Sequence, residues 1–357
     1  MYSNKRRICM KRSIVTILFA LAATALVSAQ TDLQSVALVK LTKTEPITVK
    51  QLKAEVQKIE AQTGKTLTLD ERKQVLDVMI NERLALQAAE RDKITVSDAE
   101  INQQLQQARA SMAQSLGRQP TDAEFESAIK QQTGMDLAAY KDQLKRLATV
   151  QKYLMTKKQD ILNSIKKPSD AEIKNFYELN KVKLVRPDTV RFSMIFVPYG
   201  NDAAAKAKAK ELADKLVKDI GTSPSKFDEA VLKGQSATAG YQAGDGGYLP
   251  KTPEAQSIVG QEFMNVAFSL KQGEVSRLIE NSKGYQIIKI TEAYSQKNLE
   301  LDDIYQLGSK VTVRDYIGNL LYQQNQQAAF DKASKELVDE LRAGGKSYQI
   351  FDKLIAY

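Results

Sequence analysis

The stretch Gly244-Asp245-Gly246-Gly247-Tyr248, then Phe263-Met264-Asn265-Val266-Ala267-Phe268-Ser269-Leu270-Lys271-Gln272-Gly273-Glu274-Val275-Ser276, then Gly284-Tyr285-Gln286-Ile287-Ile288-Lys289-Ile290, decides the fold. Its first glycines mark a turn, Phe263 to Leu270 has the spacing of a short helix, and Lys271-Gln272-Gly273-Glu274 stops that helix. Val275 to Ile279 and Tyr285 to Ile290 read as strands. Upstream, Arg186-Pro187-Asp188 changes the texture of the chain. Val190, Phe192, Met194 and Val197 then lie on a strand, and Ala203 to Ile220 is a helix ended by Gly221. Strand, helix, loop, helix, strand, strand is the order of a compact α+β domain, here 183–293.

These three blocks, in order and at matching separations, resemble the parvulin type of peptidyl-prolyl isomerase, which writes them GGDLGxF, FExAAFxLxxGEVS and GYHIIKV. The resemblance implies an apolar pocket in which a prolyl amide is twisted over a barrier of about 18–20 kcal/mol, above a hydrogen-bond network held by histidines. The chain departs from the pattern where the chemistry is done. The strand that the family writes SHIL is Ser193-Met194-Ile195-Phe196, and the second histidine position is Gln286. The Cys or Asp position before the glycine turn falls on Ala237. Of the family's site residues the apolar Phe263 matches, and the methionine position falls near Val259, in a segment Lys251–Gly260 longer than the family's. Met194, Ala237 and Gln286 are therefore degenerate catalytic positions. Met194, Phe196, Tyr248, Val259, Phe263 and Gln286 are expected to line a peptide-binding groove, which favours binding over rate enhancement.

Before this domain the sequence is helical. Val36 to Val49, interrupted by Pro46, reads as a hairpin, and Thr48 caps a helix carrying Leu52, Val56 and Ile59. Ser97-Asp98-Ala99-Glu100, Thr121-Asp122-Ala123-Glu124 and Ser169-Asp170-Ala171-Glu172 are capping boxes, each opening an apolar stripe. Longer helices run from Asp70 to Arg91 and onward from Asp136. This region, 30–182, resembles the chaperone region of the SurA and PrsA proteins, and 294–357 resembles SurA's last segment. Its helices, Val311 to Leu321 and Ala328 to Leu341, carry more apolar surface than they can bury alone. They are expected to pack on the N-terminal domain. The expected fold is thus α+β: a SurA-like helical domain completed by C-terminal helices, plus a parvulin-like domain.

The start of the chain reads differently. Lys5, Arg6, Arg7, Lys11 and Arg12 precede an apolar run of 14 residues, Ile14 to Val27, and the small-residue ending Val27-Ser28-Ala29. That is the pattern of a secretory signal peptide over 1–29, shorter than the about 20 residues that span a bilayer. A second start at Met10 would open an equally good signal. Removing those five basic residues out of 52 Lys and Arg, with no acid, brings the formal charge from +9 to +4. So small and scattered an excess argues against nucleic acid. Cys9, the single cysteine of the 357 residues, lies in the same segment, so no disulfide is available beyond it.

Composition bounds the chemistry. With no histidine and no tryptophan, sites built on His or Cys for metals, and Ser-His or Cys-His nucleophiles, are excluded. Asp302-Asp303 near a helix start reads as a cap rather than a metal pair, and Met79, Met112, Met135 and Met155 read first as core and second as a soft binding surface. No metal and no cofactor is expected. The reading is a periplasmic holding chaperone for unfolded outer-membrane or secreted polypeptides, without stable membrane insertion after cleavage. Its alternatives are an active isomerase and a surface-displayed structural protein.

Overall fold

The computed structural model describes residues 32–356 apart from Asn201 and Ala237, so the expected signal peptide, Cys9 and the Ala237 position lie outside the described residues. The described chain divides into two compact units, 32–165 with 325–356, and 166–324.

The first unit opens with β1 (Ser35–Val39) and β2 (Glu45–Thr48), an antiparallel hairpin. Pro46 is tolerated because β2 is an edge strand, with β1 between it and the C-terminal strand Tyr348–Ile350. The longer helices that follow are α1 (Val49–Thr63), α2 (Leu69–Arg91), α3 (Asp98–Leu116), α4 (Asp122–Thr133) and α5 (Leu137–Lys157), with a single helical turn at Gln159–Asn163 after them. Their starts are set by local hydrogen bonds. At α3 the Glu100 N–H donates to Ser97 Oγ at 3.2 Å and the Ser97 N–H returns to Glu100 Oε2 at 2.7 Å. The same reciprocal pair stands at Thr48/Gln51, Thr68/Glu71 and Thr121/Glu124. The core joins Leu52, Val56, Leu76, Ile80, Leu84 and Tyr153 to Ala333, Leu337, Leu341 and Ile355 from the far end of the chain. Gln87, buried beneath the hairpin, accepts from the Leu41 and Thr42 N–H groups at 3.0 Å and fixes that turn to α2.

The second unit begins with α6 (Asp170–Asn180), capped by the Ser169/Glu172 pair, and the two-residue β3 (Val185–Arg186). Its main sheet contains β4 (Thr189–Pro198), β5 (Gln242–Pro250), β6 (Ile279–Glu280) and β7 (Gly284–Tyr294) in the order β5-β4-β7-β6, antiparallel throughout. Alternation along β4 divides its side chains between two cores. Ile195 and Val197 pack with Ala213, Leu216 and Phe227 of α7 (Ala203–Ile220) and α8 (Pro224–Gly234). Val190 and Phe192 pack with Phe263, Met264 and Ala267 of α10 (Gln261–Ser269), which follows the short α9 (Pro253–Val259). Val275 reaches β7 through an isolated bridge to Lys289, so the expected strand there is regular only at Ile279–Glu280.

The C-terminal region corrects the sequence reading. The stripes expected as two helices form one, α11 (Val313–Arg342), because glutamine is an adequate helix former and the Gln-rich stretch 323–327 does not break it. Nor does 294–357 pack as one block on the N-terminal helices. Leu299, Val313 and Ile317 are buried with Ile173 and Leu184 of the second unit, after β8 (Lys297–Asn298) pairs with β3. From Asn325 on the chain belongs to the first unit. There β9 (Tyr348–Ile350) adds to β1, Lys158 pairs with Glu340 at 2.5 Å, and Arg342 pairs with Asp77 at 2.9 Å.

Candidate functional site: the isomerase-type face and an apolar groove

Directly opposed residues in an antiparallel pair share a face, so the register places the degenerate positions. Phe196 is opposed by Gln286, Met194 by Ile288 and Phe192 by Ile290, all on the side covered by α10. Met194, Val259 and Phe263 join one apolar cluster there. Gln286 Nε2 donates to Met194 Sδ at 3.5 Å, a weak acceptor, while Gln286 Oε1 is buried without a partner among the described residues. Phe263 is 3 % exposed and meets Phe192 edge to face at 5.2 Å. Five of the six expected groove residues therefore lie on one face, but Phe263 is core rather than open wall.

Tyr248 is not with them. Gly246 is an extra residue on β5, between the pairs Phe192–Gly247 and Ser193–Asp245, and it turns Tyr248 to the opposite side. A side chain at Gly246 would enter the Phe192 ring, at 2.2 Å. On that opposite side Tyr248 joins a paired network. Its hydroxyl donates to Glu292 at 3.1 Å and that of Tyr294 does so at 2.5 Å. Arg191 bridges Asp245 at 2.7 Å and Glu292 at 2.9 Å. The hydrogen bond to Glu292 pushes the Tyr294 hydroxyl up to about 12, and Arg191 with the Gly247 N–H holds Asp245 below its ordinary value. Each carboxylate here has a partner, and the network ties β4, β5 and β7 together.

An open apolar surface that the sequence reading did not single out lies in the first unit. A groove of about 620 Å³ runs among α1, α2 and α5, with Ile59, Leu67, Val75, Val78, Met79 and Leu147 along it. Val78 is 65 % exposed and Leu147 53 % exposed, whereas Leu76 and Ile80 on the other side of α2 are core. The signal was present in the sequence: the run Val75-Leu76-Asp77-Val78-Met79-Ile80 is too wide an apolar arc for one buried face. Among the described residues no helix is long and apolar enough to cross a membrane.

Residues 1–154 match the family model of the SurA-like N-terminal domain, and residues 168–306 match that of the PPIC-type PPIASE domain. The foldase protein PrsA of Clostridium botulinum is 25 % identical over 280 residues, covering 77 % of this chain and 74 % of the relative. PrsA of Clostridium acetobutylicum is 28 % identical over 276 residues, covering 75 % of each. Among solved structures, a SurA-like chaperone of Campylobacter jejuni aligns with 15 % identity and a TM-score of 0.39, over 89 % of this chain and 100 % of that one. With the two domain models in sequence along most of its length, this chain is of the SurA/PrsA type, a foldase or chaperone carrying a PPIC-type peptidyl-prolyl isomerase domain.

Proposed function

We propose that this protein is an exported, periplasm-facing holding chaperone whose isomerase-type domain does not catalyse prolyl isomerisation. The observation that carries the reading is the contact of Gln286 Nε2 with Met194 Sδ at the two histidine positions, on the face where Phe263 is buried. Neither side chain titrates; Met194 cannot join a buried polar network, and Gln286 spends its amide N–H on a weak sulfur acceptor. The groove along Val75, Val78 and Met79 supplies what holding needs: exposed apolar surface, with a methionine that adapts to varied side chains. The clients are unfolded outer-membrane or secreted polypeptides rich in aromatic residues. The signal-like start supports export.

The test is aggregation of an unfolded β-barrel protein on dilution from denaturant. Stoichiometric protein is expected to suppress light scattering, and Val78→Asp to weaken that suppression. Scattering unchanged by a stoichiometric amount would refute the holding role.

A further inference from the structure

In the second unit, on the side of the sheet away from Met194 and Phe263, a cavity of about 430 Å³ opens between the chain at Lys183–Pro187 and the loop Tyr305–Leu307. We propose that this cavity binds a carboxylate-bearing segment of an unfolded polypeptide, seating an aromatic or aliphatic side chain on its walls and the carboxylate on Arg186. The size is that of a small-ligand site. The walls are preformed. Tyr305 is stacked on Tyr316 with ring centroids 3.8 Å apart, and the Tyr248 hydroxyl is tied to Glu292. Gly308, at φ +83°, lets the loop lie against Tyr248, where a Cβ would come within 2.9 Å of the ring. Such walls need little ordering when a side chain enters.

The charge is what selects the occupant. Lys183 and Arg186 line the cavity and no carboxylate does. Arg191, Arg277 and Arg314 of the same unit each pair with an acid. Among the described residues the Arg186 side chain makes no ion pair and no hydrogen bond; its guanidinium lies over the Tyr294 ring at 5.2 Å and its Nε is buried without a partner. Asp303 is near enough to feel Arg186, but its oxygens are taken by Lys297 Nζ at 2.6 Å and the Glu300 N–H at 2.7 Å. A partly buried guanidinium without a counter-ion is costly, and its planar fork fits a carboxylate. An acidic side chain and a free C-terminus share that chemistry.

The inference extends the holding role to a second contact, and its test is separable from that role. A short fluorescently labelled peptide of Phe and Asp is titrated with the purified full chain and followed by anisotropy, beside a counterpart of Phe and Lys, each with free and with amidated C-terminus. The acidic peptide is expected to bind at least about tenfold more tightly, and Arg186→Gln to remove about that factor, with Arg186→Lys recovering part of it. Leu307→Glu, which places a carboxylate in the cavity, is expected to weaken binding similarly should Arg186→Gln lower the melting temperature. A loss on amidation assigns the C-terminal carboxylate, and no loss assigns the side chain; either supports the site. Equal binding of acidic and basic peptides that amidation does not weaken overturns it, as does Arg186→Gln or Leu307→Glu binding as the wild type does. A protein that suppresses aggregation but fails this discrimination loses only the site; one that discriminates but does not suppress aggregation loses only the holding role.

Discussion

The isomerase-type face of the second unit and the groove of the first are built from the same kinds of side chain, and they differ in what they leave open. Phe263 is 3 % exposed and locked against Phe192, while Val78 and Leu147 stand 65 % and 53 % exposed along the groove. On the isomerase-type face the apolar side chains of the sheet and of α10 close on one another and become core. Where apolar residues spill past the arc a helix can bury, they remain as surface. A substitution in the first place should therefore act on stability, and one in the second on client binding.

The largest effect is expected from ending the chain at Gln324. That removes Ala333, Leu337, Leu341, Ile355 and β9 from the core of the first unit. Losing so many buried side chains exceeds the about 5–15 kcal/mol that holds a domain folded, so α1 to α5 should unfold. Circular dichroism would show it, and helices melting at the wild-type temperature would contradict the assignment of this segment. Phe263→Ala comes next, at about 3–5 kcal/mol in a denaturant titration, as for a core aromatic. A cost under about 1 kcal/mol would mean that Phe263 is an open wall after all. Gln286→Leu should raise stability by about 1 kcal/mol, because it removes the buried, unpartnered Oε1 at the expense of one weak bond to sulfur. A destabilised variant would show that this oxygen has a partner.

The capping boxes give a pH dependence. The Arg118 guanidinium and the Thr121 N–H and hydroxyl hold the Glu124 carboxyl at about 2, below its ordinary 4.5. The Ser97 N–H and hydroxyl, with Lys152, hold Glu100 at about 2 in the same way. A carboxyl lowered in the folded state contributes stability that is present above 4.5 and is lost as the pH falls toward 2. The melting temperature of the first unit should fall across that window, and Glu124→Gln should flatten part of the fall. A profile unchanged by the substitution would remove Glu124 from the account. Smallest in stability is Val78→Asp, within about 0.5 kcal/mol, although it should lower aggregation suppression several-fold.

Much of this contrast was legible in the sequence, because caps and alternation are local. The pairs at Thr48, Ser97, Thr121 and Ser169 fix helix starts within four residues, and β4 and β7 alternate over their lengths. The helix Pro224–Gly234 escapes a reading by apolar spacing alone, although Ser223 and Pro224 mark its start. Other features depend on distant partners. The three-residue β9 is a strand because β1 is there to receive it. Tyr248 was placed with Phe263 because nothing local reveals that Gly246 is an extra residue, and a shift of one residue sends a side chain to the other face of a sheet. Closure of the pocket over Phe263 and the unpaired state of Arg186 are likewise properties of packing, beyond the reach of spacing.

The central claim is that the isomerase-type domain has kept its fold and lost its catalysis. An NMR exchange measurement on an Xaa-Pro peptide tests it most directly, because the uncatalysed reaction takes tens to hundreds of seconds and any acceleration stands out. With this protein at catalytic concentration, the account predicts the uncatalysed exchange rate, unchanged by Met194→Ala or Gln286→Leu. Acceleration that disappears in Phe263→Ala, with that variant still folded, would contradict it.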